Sequence, residues 1–157
     1  MNPTELQAHV CQFFVEQADL TSDDLVVLGV SGGVDSMTLA DVSVRVAQET
    51  GIRFCIAHFD HGLRENSDMD ARFVQQYAGA NRVQFLTKRS DVGAYASSNT
   101  LGIEEAAREL RYRFLFKVKN EIGGRFVAVA HNQDDQAETV LMRLVRGAGL
   151  RGLRSMI

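Results

Sequence analysis

The sequence predicts an α/β fold: a parallel, doubly wound sheet with helices packed on both faces. Three observations predict it. Short continuous apolar runs alternate with longer amphipathic stretches four times along the chain. The connections between those runs are long enough to be crossovers rather than hairpins. The segments that follow the first, second and fourth runs are polar and rich in glycine, aspartate or histidine. A continuous apolar run is what a strand buried on both faces looks like, and parallel strands require long connections.

Residues 1–24 read as an N-terminal helix and lead-in, with Val10, Phe13 and Phe14 on the helix's inner face and the TSDD segment turning the chain. Residues 25–157 read as the main domain. LVVLGV (25–30) is the first strand, and a helical pattern runs from about Met37 to Glu49. FCIAHF, within 53–59, is the second strand. The polar loop DHGLRENSDMD leads from it into a helix carrying Phe73, Val74 and Tyr77. VQFLTK (83–88) is the third strand. A helix from Ile103 to Lys119 places Ile103, Ala107, Leu110 and Phe114 on one side, with Glu104–Arg108 and Glu109–Arg113 one turn apart on the other. FVAVA (126–130) is the fourth strand, and a last helix is expected over 134–146.

Composition narrows the function classes. The 157 residues carry 20 acidic and 17 basic side chains, a net charge of −3, which disfavours a protein that coats nucleic acid by bulk charge. With 45% hydrophobic and 24% charged residues the chain is a folding sequence, not a disordered one. Cys11 and Cys55 form no CxxC pair, and Cys55 sits in an apolar run, the setting of a buried free thiol. No apolar run is long enough for a membrane helix, and MNPTELQAHV lacks a signal core, so no membrane association and a cytoplasmic location are expected.

In a parallel sheet, ligands bind beyond the carboxyl ends of the strands. SGGVDS, DHGLR and HNQDDQAET should therefore converge on one edge. Ser31, Gly32, Gly33, Val34, Asp35 and Ser36 follow a strand and open a helix. Two glycines let a ligand approach the main chain, exposed amides and the helix dipole favour a phosphate anion, and the two serines add hydroxyl donors. Asp35 is placed to hold a Mg2+ ion bridging phosphates. The competing reading is a tight turn with Ser31 or Asp35 as a helix cap. The loop is not a Walker-type GxxxxGK[ST]. RGAGLRG contains a nominal GxGxxG, but it follows a helical pattern and reads as a helix stop. From Thr139 onward the chain has no acidic residue, yet carries Arg143, Arg146, Arg151 and Arg154. These suit RNA phosphates or form a solvated face.

SGGVDS resembles the pyrophosphate loop of the ATP-pyrophosphatase, or PP-loop, superfamily, whose fold is Rossmann-like (adenine nucleotide alpha hydrolase-like). AHFDHGLRENSDMD (57–70), GIEEAARELRYRFL (102–115) and AHNQDDQAETVLMRLVRGAGLRGL (130–153) resemble, in order and spacing, the tRNA(Ile)-lysidine synthetase family. The resemblance implies a ligase that uses ATP and Mg2+. It adenylates C2 of a cytidine in the CAU anticodon of tRNA(Ile), releases pyrophosphate, and joins free L-lysine with loss of AMP to form lysidine.

The catalytic candidates are Asp35, His131, Asp135 and Glu138. Asp135 or Glu138, at the start of the last expected helix, could position the lysine ammonium or a metal ion, or could merely complement the helix dipole. His131 could face the nucleotide. His58 and His61, three apart after the second strand, are placed to touch the nucleotide or are packed or surface histidines. Arg111 and Arg113, within RYR, are by resemblance contacts to ATP phosphates or tRNA, against a bland reading as solvated salt bridges. Arg143, Arg146, Arg151 and Arg154 are the candidate tRNA contacts. A homodimer is compatible with the resemblance. The sequence departs from the family pattern at Asn132, where a second histidine is usual, and at Ser155, where glycine is usual. It also reads as an N-terminal portion of a longer pattern. The alternatives are another tRNA-modifying enzyme of the superfamily, such as a thiolase, or a non-catalytic ATP-binding module. The thiolases that share this loop usually carry paired cysteines, for which Cys11 and Cys55 are poor candidates.

Overall fold

A computed structural model describes residues 2–63, 67–131 and 141–146. The elements run α1 (Pro3–Gln12), a π-helical turn (Phe13–Gln17), β1 (Leu25–Gly29), α2 (Val34–Thr50), β2 (Arg53–Asp60), α3 (Ser67–Ala80), β3 (Gln84–Arg89), α4 (Val92–Asn99), α5 (Ile103–Glu121), β4 (Phe126–His131) and β5 (Leu141–Arg146). The sheet order is β3-β2-β1-β4-β5. The first four strands are mutually parallel, and β5 runs antiparallel to β4, pairing Phe126 with Arg146 through His131 with Leu141.

Alternation along the strands divides the core in two. Val26, Leu28, Phe54, Ile56, Phe126 and Ala128 face α1, α2 and α3, where Val10, Phe14, Leu39, Val46 and Val74 meet them. Val27, Ala57, Phe59, Val127 and Val129 face α4 and α5, against Val92, Tyr112, Leu115 and Val118. Phe14 is fully buried, with its ring 5.5 Å from that of Phe54, so the N-terminal helix shares the core of the sheet. Truncating such a side chain to alanine costs about 3–5 kcal/mol. Helix α1 starts on a capping box in which Asn2 and Glu5 exchange bonds of 2.8 and 3.0 Å.

A tight contact lies at the carboxyl end of β1. A Cβ on Gly29 would fall 2.8 Å from Val129 Cγ1 and 2.9 Å from Leu115 Cδ1, so the side chains of β4 and α5 fill the space beside β1 that a side chain at 29 would need. At the opposite end, Arg125 donates to the Asp24 carboxylate at 3.0 Å and to the Asp19 carbonyl at 2.6 Å, tying the entries of β1 and β4 together.

Three expectations are corrected. Residues 141–146 form a strand, not the end of a helix. LMRLVR is a short apolar run that suits either period, and the open edge of β4 supplies its partners. Helix α4 was not foreseen, because only Val92 and Ala96 of its residues are buried, too few to set a period. On α5 the inner face is Ala106, Phe114, Leu115 and Val118, while Ile103, expected inside, is exposed. Among the described residues no helix is long and apolar enough to cross a membrane.

Candidate functional site

The strand order reverses between β1 and β4. Helix α2 carries the chain from β1 to β2 on one side, whereas β4 lies on the other. Such a switch point opens a crevice at the carboxyl ends of the strands, and the 31–36 loop stands at its edge. Gly32 adopts φ +92°, and a Cβ there would also crowd Asp70 of α3 at 3.3 Å. The loop is braced from within. Ser36 Oγ donates to the Gly33 carbonyl at 2.9 Å, the two serine hydroxyls lie 3.1 Å apart, and the Ser31 N–H donates to Ser36 Oγ at 3.2 Å.

Gly33 is the N-cap of α2 and offers no side-chain cap. The first-turn amides of α2 therefore lack a capping side chain and face the strand ends. A helix start without a side-chain cap and a glycine at positive φ are features that favour anions in general.

Beside the loop lies a cleft of about 300 Å³ lined by Ser31, His58, Asp60, Asp70, Arg108 and Arg111 among others. A narrower cavity of about 40 Å³ continues from it between Ser31, Ser36, Ala57, Val129 and Arg111. Arg111 borders both spaces. Its guanidinium lies over the Tyr112 ring, 5.3 Å from the centroid, and its buried Nε has no hydrogen-bond partner among the described residues. A guanidinium N–H left without a partner in a buried setting can donate to a phosphate or carboxylate.

The second segment is fixed by Asp60, which is 5% exposed. One carboxylate oxygen accepts from the Gly62 N–H at 2.8 Å. The other accepts from Ser67 Oγ at 3.2 Å and lies 3.6 Å from Arg89, which also pairs with Asp68. Asp60 thus closes the turn after β2 and docks the start of α3. His58 is buried with Nδ1 2.9 Å from the Val30 carbonyl oxygen, and His61 is partly exposed, its Nδ1 accepting from the Leu63 N–H at 3.4 Å.

Of the residues expected in ATP binding, Ser31, His58, His61 and Arg111 line the cleft together and Ser36 lines the narrower cavity. Gly32 and Val34 line a separate, larger groove, and Gly33 and Asp35 are not among the lining residues of any of these spaces. Arg113 stands elsewhere: it pairs with Glu109 at 2.6 Å and lies over Tyr95, half exposed and outside the cleft lining. The sequence reading missed Asp70 and left Arg108 on the outer surface, whereas both line the cleft. Arg108 and Arg111 are three apart on one helix and share a face, and that spacing was the available signal. Asp135, Glu138, Arg151 and Arg154 lie outside the described residues, as do the side chains of His131, Arg143 and Arg146. Cys55 is fully buried, and burial pushes its thiol up to about 11, which makes it a poor metal or sulfur ligand at neutral pH.

A larger groove of about 790 Å³ lies between α1, α2 and α3. It is mostly apolar, and its polar members satisfy one another. Tyr77 donates to Asp41 at 3.3 Å, and Arg45 pairs with Asp41 at 3.0 Å. Convergent polar groups, not volume, mark the smaller cleft as the candidate site.

Comparison with known proteins agrees with this geometry. The sequence pattern of the PP-loop domain family matches residues 3–157. A tRNA(Ile)-lysidine synthase of Dehalococcoides mccartyi is 40% identical over 152 residues, covering 96% of this chain and 32% of the relative. One from Petrotoga mobilis is 34% identical over 153 residues, covering 98% and 49%. The chain therefore spans between a third and a half of the length of these relatives. Among solved structures, the U34-tRNA thiolase NcsA of Methanococcus maripaludis superposes with a TM-score of 0.68 at 15% identity, covering 83% of this chain and 46% of its own, a likeness of fold.

Proposed function

The chain belongs to the PP-loop domain family, and from that premise we propose that it is the ATP-binding part of a tRNA(Ile)-lysidine synthetase. The observation that carries the reading is the uncapped start of α2 behind Gly32, set beside a cleft into which Arg111 reaches. In this reading the 31–36 loop takes the β and γ phosphates, its amides and serine hydroxyls neutralising the pyrophosphate as it leaves. Arg111 and Arg108 face the remaining phosphate and the nucleoside from α5.

The C2 oxygen of a cytidine in the CAU anticodon attacks the α-phosphorus, and the bond to pyrophosphate breaks. The amine of free L-lysine then attacks C2 and displaces AMP, with loss of one proton from the amine. That amine must be neutral to attack, so a nearby base is required. His131, Asp135 and Glu138, which follow β4, are the groups proposed to receive lysine and its proton. Arg143, Arg146, Arg151 and Arg154 are proposed to meet tRNA phosphates.

The described residues contain no cluster of three or more potential metal ligands. Mg2+ commonly binds through one or two carboxylates together with a substrate's phosphates. Asp35, in the first turn of α2, would hold the ion, which would offset charge on the phosphates. Location in the cytoplasm and assembly as a homodimer belong to the same proposal.

A coupled pyrophosphate-release assay with tRNA(Ile) transcript, lysine and ATP tests the reading. It is run on this chain and on a version extended through its native gene. Release that requires both tRNA and lysine, with AMP formed in step, is the expected result. Release indifferent to tRNA and lysine would overturn it, and ATP binding without lysine-dependent AMP formation in both versions would leave a nucleotide-binding module.

A further inference from the structure

The side chain of His58 carries a directional feature that the nucleotide-binding reading, on which this inference rests, does not itself require. His58 is 3% exposed, and its Nδ1 lies 2.9 Å from the Val30 carbonyl oxygen. A carbonyl oxygen only accepts, so Nδ1 carries the hydrogen. In the neutral imidazole Nε2 is then left with a lone pair and no hydrogen. Among the described residues Nε2 has no hydrogen-bond partner, and His58 lines the cleft beside Ser31 and Arg111. In a ring that lines the cleft with one nitrogen already satisfied, the other can accept from a bound donor.

The element that fixes this tautomer is also the one that delivers the phosphate loop. Val30 directly precedes Ser31, and its own N–H donates to the Ala57 carbonyl at 3.0 Å, next to His58. Ring orientation and loop position are thus set by the same two residues of adjacent strands, and a ligand held by the loop meets the acceptor at a fixed offset.

We propose that His58 is a specificity-determining residue whose Nε2 accepts a hydrogen bond from a donor on the nucleoside half of the bound nucleotide. ATP offers two sources of that chemistry, the exocyclic 6-amine of adenine and the ribose hydroxyls. A base with a carbonyl at the 6 position would set lone pair against lone pair. A deoxyribose would leave the acceptor dry and unpaired. Sites built to bond a donor reject analogues that lack it far more strongly than apolar pockets reject a missing methylene.

Calorimetric titration of the full chain tests this with ATP, inosine triphosphate, 2′-deoxy-ATP, 3′-deoxy-ATP and inorganic pyrophosphate. The proteins are the wild type, His58→Asn and His58→Gln, each checked for folding by circular dichroism. Asparagine keeps a donor near the Nδ1 position and has no atom where Nε2 stood, whereas glutamine restores an acceptor there. We expect at least one analogue to bind the wild type about 10-fold or more weaker than ATP. That ratio should approach unity in His58→Asn and reappear in His58→Gln, with pyrophosphate affinity alike in all three. The inosine arm singles out the amine, and the deoxy arms the ribose.

Equal wild-type affinity for ATP and every analogue overturns the proposal without any variant, as does discrimination that survives in His58→Asn. If neither ATP nor pyrophosphate binds the wild type, the nucleotide-binding reading itself falls. If both bind and the selectivity ignores position 58, only the role of His58 falls.

Discussion

A Cβ placed on Gly32 would stand 3.3 Å from Cβ of Asp70, so the glycine loop and helix α3 approach where a larger residue would press on its neighbour by a few tenths of an ångström. The backbone at Gly32 is also at φ +92°, a conformation that L side chains rarely adopt. Gly32→Ala should therefore cost about 1 kcal/mol of stability or more and shift the loop amides. We expect a loss of ATP affinity of about 10-fold or greater, read by calorimetry, at a small loss in thermal midpoint. Unchanged affinity would mean that the loop does not cradle the phosphates.

Asp35 lies in the first turn of α2, where a carboxylate complements the helix dipole. Asp35→Ala should weaken magnesium-dependent ATP binding, while urea unfolding changes by only about 0.3–1 kcal/mol. Binding whose magnesium dependence is the same in the variant would remove Asp35 from the metal role.

Asp60 gathers the Gly62 N–H, the Ser67 hydroxyl and Arg89 on one buried carboxylate. Asp60→Ala leaves those donors without an acceptor and should destabilise the fold by about 2–4 kcal/mol. Hydrogen exchange should quicken first at Gly62 and the start of α3. A uniform change across the chain would show that Asp60 does not anchor this turn in particular.

Burial pushes the Asp24 carboxyl up, but hydrogen bonds from the Thr21 N–H and hydroxyl and from Arg125 outweigh it and hold it below its ordinary 3.8. The folded state therefore binds this proton less readily than the unfolded chain. The resulting stability is present above pH 3.8 and is lost as pH falls through the lower folded value. Asp24→Asn should destabilise the protein by about 1 kcal/mol near neutrality, a figure already discounted for the partly exposed Arg125. The gap to wild type should narrow in acid. A gap constant from pH 7 down to about 2.5 would contradict the assignment.

Replacing both Arg143 and Arg151 with glutamine should reduce the steepness with which RNA binding falls with salt. Each side chain that no longer neutralises a phosphate changes the slope of log affinity against log salt by about 0.7–0.9. An unmoved slope would assign both side chains to solvent.

The strands, the glycine loop that opens α2 and the convergence of segments after β1 and β2 were legible because buried parallel strands leave unbroken apolar runs whose following loops share one edge. Helix α4 was not, since VGAYASSN buries only Val92 and Ala96 and its small and polar residues set no period. The pairing of 141–146 with β4 depends on a neighbour's open edge, which no local pattern records. RYR drew attention to Arg111 with Arg113. Residues two apart on a helix point away from each other, and it is Arg108 that shares the cleft with Arg111. Asp70 carried no signal at all: its place follows from how α3 packs across the glycine loop.

Gly29 acts as a gauge for the whole crevice. Leu115, whose methyl nearly meets the space a side chain would fill at 29, is one helical turn beyond Arg111 on α5. The missing side chain at the end of β1 thus leaves the space that the Leu115 methyls occupy, one turn from Arg111. A methyl added at 29 would act as a wedge against Leu115 and Val129, from a position that itself lines the narrower cavity between β1, β4 and α5.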